Sequence, residues 1–184
     1  MSRTGVTRRI FTTSAASVAV LFAVSACSSS SNSSTSVKDS SSDVLHVAYY
    51  DDMGAPDPDS FYGTEGLMVT GSVYDGLLQY APNSTKIVAD LASLPAISTD
   101  GLTYTFQLHP GAKFHDGTAV DSAAAKASFA RRTLLNQGPA YMLAGVSSVD
   151  TPGPLTVVVH LKSPVSAFLD YLASAWGPKI VDGQ

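Results

Sequence analysis

Between residues 102 and 109, apolar and polar positions alternate without a break. Leu102, Tyr104, Phe106 and Leu108 are set against Thr103, Thr105, Gln107 and His109. A period of two is that of a strand with one buried face. Asp100-Gly101 and Pro110-Gly111 supply turn residues at its two ends. Ala112 to His115 alternates again, which predicts a hairpin carrying His109, Lys113 and His115 on its polar side. Upstream, Val44 to Tyr50 (VLHVAYY) predicts a strand rich in β-branched and aromatic residues, running into the loop DDMGAPDPDS. Thr64 can cap a helix in which Val69, Val73 and Leu77 recur every four residues, with Gly76 near its end. Leu77 to Tyr80 reads as a short extended piece, and Ile87 to Leu94 has no decisive period before Pro95 breaks it. Asp121 is a good N-cap for the helix-forming run SAAAKASFARRTLLN, which Asn136-Gln137-Gly138-Pro139 stops. Val146 to Asp150 and Leu155 to Leu161 predict a second hairpin, and Val157-Val158-Val159 suggests a strand covered on both faces. Ser163-Pro164 opens a last helix through VSAFLDYLASA. Strands and helices alternate irregularly, so the class is mixed α/β.

The first 27 residues have the layout of an export signal. Arg3, Arg8 and Arg9 precede an apolar run, Ala15 to Val24, which is too short to span a bilayer as a permanent anchor. Val24-Ser25-Ala26-Cys27 resembles the lipobox of bacterial lipoproteins, which makes Cys27 the expected lipid attachment residue. Cys27 is also the only cysteine of the chain, so no intrachain disulfide competes for it. Thr7-Arg8-Arg9-Ile10-Phe11 is similar to a twin-arginine motif, while a plain basic start is also compatible with it, so the export route stays open. Residues 28–43 are serine-rich and too polar to offset the entropy of ordering, so they predict a tether. The folded part is then expected over 44–184, enough for one modest core.

Charge narrows the partners. The chain carries 11 basic and 15 acidic residues; without the three signal arginines, eight basic residues remain and the balance is −7. A mildly acidic domain argues against nucleic acid, which needs clustered Lys and Arg. The only basic pair after the signal, Arg131-Arg132, lies on the predicted helix and reads as a solvated face. A secreted hydrolase is the alternative in another class, but G-x-S-x-G and H-E-x-x-H are absent and His46, His109, His115 and His160 have no triad spacing. No cofactor, metal site or catalytic residue is expected, since two histidines and one carboxylate near Asp116 fall short of a ligand set.

Several motifs, in order, resemble the extracellular solute-binding proteins of ABC importers of the oligopeptide, dipeptide and nickel type. Leu45-His46-Val47-Ala48 with Asp52 and Asp57-Pro58 is similar to the family's opening strand and its LDP loop. Tyr74-Asp75-Gly76-Leu77 resembles the Y-E-G-L segment, and DGLTYTFQL followed by GAKFHDGT resembles its most recognisable stretch. The resemblance covers Val44 to Gln184. It implies the first-lobe portion of a two-lobe, type II periplasmic-binding-protein-like fold, truncated before the second lobe. It further implies capture of a peptide or similar small solute and delivery to a membrane permease, with the lipid on Cys27 holding the protein at the outer face of the cell membrane. In such proteins the end of the first strand lines the ligand cleft, so Tyr50, Asp51, Asp52 and Met53 become the ligand-binding candidates. One departure is Ala92-Ser93-Leu94-Pro95, which stands where the family has A-E-S-W. A truncated, non-binding remnant of such a protein is the competing reading.

Overall fold

The computed structural model describes residues 54–183. From Gly54 the chain forms α1 (Leu67–Val73), β1 (Leu78–Tyr80), β2 (Ile87–Ala89), β3 (Ala96–Ile97) and β4 (Thr103–Gln107). There follow α2 (Ser122–Leu135), a 3₁₀ turn (Gly138–Leu143), β5 (Val146–Gly153), β6 (Thr156–Leu161) and α3 (Phe168–Ala173). The strand expected at Val44–Tyr50, the signal and the tether all lie outside the described residues. Among the described residues no helix is long and apolar enough to cross a membrane.

β1 and β2 form an antiparallel ribbon, and the other four strands form an antiparallel sheet in the order β3-β4-β6-β5. The alternation read from the sequence sets the register. Tyr104 stands opposite Val159 and Phe106 opposite Val157, so four apolar side chains share one face. Phe106, Val157 and Val159 are wholly buried, and Leu77, Leu78, Phe129, Phe168 and Leu172 close over them. The Tyr104 and Phe168 rings meet edge to face at 4.8 Å, tying α3 to β4.

α2 begins as its sequence dictates. Asp121 is its N-cap and accepts a bond of 2.8 Å from the Ala124 N–H. Its end is also local: Asn136 takes a left-handed conformation at φ 48° and its N–H returns to the Arg132 carbonyl. Asp121→Ala is expected to lower stability by about 1 kcal/mol, read as a shift in the denaturation midpoint with the m-value unchanged.

Four expectations differ from what forms. β4 pairs with β3 and β6 rather than with residues 112–115. Gly111, at φ 87°, turns the chain away, and residues 112–120 close a separate loop through Phe114 N to Thr118 O and Val120 N to Ala112 O. β6 is covered on one face only, since Val157 and Val159 are buried while Val158 is half-buried. α1 starts after Gly66 with no side-chain cap, and Thr64 bonds to Glu65 instead. Leu77 lies beyond α1 in the core, leaving Val69 and Val73 exposed. α3 begins only at Phe168, because residues 163–167 form a bend before it.

Candidate functional site

The loop entering the described region is held by two adjacent arginines of α2. Consecutive helix positions point about 100° apart, so two arginines in a row cannot both face solvent in the same way. Arg131 stays half-buried and grips both carboxylate oxygens of Asp57, with Nη1 also donating to Asp59. Arg132 turns inward and is wholly buried, contrary to the solvated face expected for this pair. Its Nε donates to Asp59 Oδ1 at 2.8 Å, Nη1 to the Trp176 carbonyl at 2.8 Å, and Nη2 to the carbonyls of Pro58 (2.9 Å) and Gly177 (3.0 Å). Asp59 is as deeply buried as its partner. One guanidinium therefore joins the 57–61 loop, α2 and the segment after α3.

Hydrogen bonds from Arg131 hold the Asp57 carboxyl below its ordinary value of 3.8, against the upward pull of its burial. A lowered folded-state value means stability that is fully present above the unfolded value and lost as pH falls through the folded one. The melting-temperature gap between wild type and Asp57→Asn is thus expected to stay constant above about pH 5 and to close below 3.8. A gap that persists in strong acid would contradict this.

Beyond this latch of Arg131 and Arg132 on Asp57 and Asp59, four aromatic rings from three segments form a wall. Tyr62 meets Tyr141 at 6.3 Å between centroids and Trp176 at 5.7 Å, while Tyr141 meets Tyr171 at 6.0 Å. Interplanar angles of 72°, 70° and 80° make every contact edge to face. The hydroxyls of Tyr62 and Tyr141 are 3.1 Å apart, and this bond raises the Tyr141 phenol above its ordinary value. The Trp176 indole N–H donates to the Gly63 carbonyl at 3.3 Å. Tyr62 and Tyr141 nonetheless remain 49% and 51% exposed, unusual for large rings that have partners available. Gly138 permits the approach, because at φ 42° a Cβ there would stand 3.0 Å from the Ser60 carbonyl oxygen and 3.1 Å from Tyr62 Cβ. Such a wall can stack on a planar group, donate or accept through its hydroxyls, and attract a cation to a ring face.

The wall was invisible to sequence reading. Its members are scattered over 62, 141, 171 and 176 and follow no period; the lone tryptophan was the only available hint. Of the residues singled out beforehand, Cys27, Tyr50, Asp51, Asp52 and Met53 lie outside the described residues. Just after them, Ala55, Pro56, Asp57 and Pro58 line a cleft of about 450 Å³ together with Tyr74, Arg131 and Val181. Lys113, His115 and Asp116 line a second cleft, of about 270 Å³, beside Tyr74 and Asp75. His109 bonds instead to the Ser93 hydroxyl at 3.3 Å, so the polar residues of the 109–116 stretch are not gathered into one group. Among the described residues no cluster of His, Cys, Asp and Glu has metal-holding geometry.

Comparison with known proteins adds the context of this surface. Residues 86–182 match the family described as bacterial extracellular solute-binding proteins, family 5 Middle. The chain is 41% identical over 110 residues to the glutathione-binding protein GsiB of Pectobacterium atrosepticum, covering 57% of this chain and 21% of that protein. It is 35% identical over 136 residues to the probable D,D-dipeptide-binding periplasmic protein DdpA of Escherichia coli K12, covering 72% of this chain and 26% of that protein. Among solved structures, the PBP AgaA of A. tumefaciens R10, in complex with agropinic acid, aligns with TM-score 0.64 and 36% identity. That alignment covers 71% of this chain and 26% of the other. The chain therefore spans about a quarter of the length of the proteins it matches.

Proposed function

The chain belongs to the bacterial extracellular solute-binding proteins of family 5, and from that premise we propose that it serves as the extracytoplasmic substrate-binding component of an ABC importer. It captures peptides or similar small solutes and hands them to a membrane permease. Covalent chemistry has no part in this; a cleft that closes around its ligand is sufficient. The observation that carries the reading is the aromatic wall of Tyr62, Tyr141, Tyr171 and Trp176, with Tyr62 and Tyr141 exposed, an amphipathic surface of the kind that binds small solutes. Relatives named for binding glutathione and a D,D-dipeptide support a ligand of peptide size. Tyr50, Asp51, Asp52 and Met53, which immediately precede the cleft at Ala55–Pro58, contribute further ligand contacts. A lipid on Cys27, followed by the serine-rich tether, keeps the binding domain at the outer face of the cell membrane.

Trp176 is the only tryptophan of the chain and reports directly on the wall. Titration with di- and tripeptides is expected to change its emission saturably, and Tyr62→Ala with Tyr141→Ala to weaken that change. A folded protein giving no response to peptides, metal chelates or sugars would overturn the reading. For the anchor, Cys27→Ala is expected to release the protein from the membrane fraction; retention there would refute lipidation at this residue.

A further inference from the structure

Resting on that solute-binding role, we propose that the wall of Tyr62, Tyr141, Tyr171 and Trp176 receives a cationic part of the ligand, an alkylammonium or guanidinium group. Ring faces carry the negative lobe of the aromatic quadrupole; the contacts run in series from Trp176 through Tyr62 and Tyr141 to Tyr171, and Tyr62 and Tyr141, each about half exposed, have ring surface to offer a ligand. The hydroxyl oxygens of Tyr62 and Tyr141, 3.1 Å apart, add lone pairs on the same two residues.

A carboxylate completes the arrangement. Glu65 lies over Gly63, its Oε2 occupying the space where a side chain on Gly63 would stand. Gly63 is the residue whose carbonyl holds the Trp176 indole, so the acid sits at the rim of the wall. Its recorded partner is the Thr64 hydroxyl, a neutral donor at 3.4 Å.

Arg131, Arg132 and Lys162 already have partners within the fold. Arg131 is spent on Asp57 and Asp59, and Arg132 on Asp59 and three carbonyls. Lys162, on the strap after β6, donates to the Ala144 carbonyl at 2.9 Å, just past the turn that bears Tyr141. Over residues 54–183 there are seven basic and eleven acidic side chains, a balance of −4, so the surrounding field also repels anions. A carboxylate or phosphate brought to this surface would meet π-faces, tyrosine oxygens and Glu65.

The test is titration of the 184-residue chain with Ala-Arg, Ala-Leu and Ala-Glu at pH 7, followed through Trp176 emission. Ala-Arg is expected to bind about tenfold more tightly than Ala-Glu, with Ala-Leu between them. Glu65→Gln, on a half-buried surface residue, is expected to remove most of the Arg-over-Leu preference while leaving Ala-Leu unchanged. Tyr141→Leu keeps apolar area but loses the ring face, and is expected to cut the preference for Ala-Arg in the same direction. Equal or tighter binding of Ala-Glu, or a preference insensitive to both variants, would overturn the cationic assignment and leave solute binding standing. If none of the three peptides perturbs Trp176 in a chain shown to be folded by circular dichroism, solute binding at the wall falls, and this assignment with it.

Discussion

Arg132→Met is expected to lower the unfolding free energy by about 3–5 kcal/mol, the range for stripping one partner from a buried ion pair. Both Arg132 and Asp59 are wholly buried, so the remaining carboxylate would keep its desolvation cost with less to offset it. Arg131 still reaches Asp59 Oδ2, which places the loss short of that for a fully orphaned charge. The carbonyls of Pro58, Trp176 and Gly177 lose their donor at the same time. Replacing Asp59 by leucine in the same chain should therefore recover only part of the loss, because no apolar pair satisfies three buried carbonyls. Arg131→Met is the comparison: that side chain is 39% exposed, so solvent screens its pairs and a much smaller effect is expected. Denaturant unfolding followed by far-ultraviolet circular dichroism measures all four proteins. An Arg132→Met midpoint within error of that of Arg131→Met would show that the latch is not the anchor described.

This latch also explains where sequence reading succeeded and where it stopped. Elements whose causes are local were legible. Asp121 caps α2 through its own side chain, and the alternation of Tyr104 and Phe106 with threonines fixes the buried face of β4. The β5–β6 hairpin follows from turn residues between two β-rich runs. Features that depend on a distant partner were not legible. Nothing near Arg132 in the sequence says that Asp59, 73 positions earlier, will neutralise it, so a pair of arginines on a helix reads as solvated. The expected hairpin at 102–115 failed for the same reason. β4 had a better partner in β6, about 50 residues later, whose Val157 and Val159 stand beside Phe106 and Tyr104 on the same buried face. The three consecutive valines exaggerated the burial of β6, because β-branched residues are favoured on strands whether one face is covered or both. The aromatic wall is the extreme case, with rings from positions 62, 141, 171 and 176 converging only once the latch has set the loop and the segment after α3. The wall and the latch are thus one assembly: Arg132 holds the Trp176 carbonyl while the Trp176 indole packs on Tyr62.

Gly177→Ala strikes this assembly at its narrowest point and is expected to cost about 2–3 kcal/mol. A Cβ at 177 would stand 2.5 Å from the Tyr171 carbonyl oxygen, 2.8 Å from that of Ser174 and 3.0 Å from that of Leu172. All three obstacles are backbone, so no side-chain rotation relieves them and the turn after α3 must open. The Gly177 N–H to Ser174 O bond of 2.8 Å closes that turn, and Arg132 is bonded to the carbonyls of both Trp176 and Gly177. Opening therefore reaches both functions of the segment, loosening the Arg132 anchorage and shifting Trp176 away from Tyr62 and the Gly63 carbonyl. The expected signature is a lower denaturation midpoint together with a red-shifted tryptophan emission, as the indole gains water. Gly71→Ala is the matching control. Gly71 lies within α1 with nothing inside 4 Å of the added carbon. There the same substitution reduces unfolded-chain entropy and is expected to stabilise by up to about 1 kcal/mol without moving the emission. Opposite signs at two glycines, with a spectral change at only one, would tie the loss to the closeness of the 171–177 turn. A Gly177→Ala protein with wild-type stability and emission would show that the turn can accommodate a side chain, and that the wall does not depend on it.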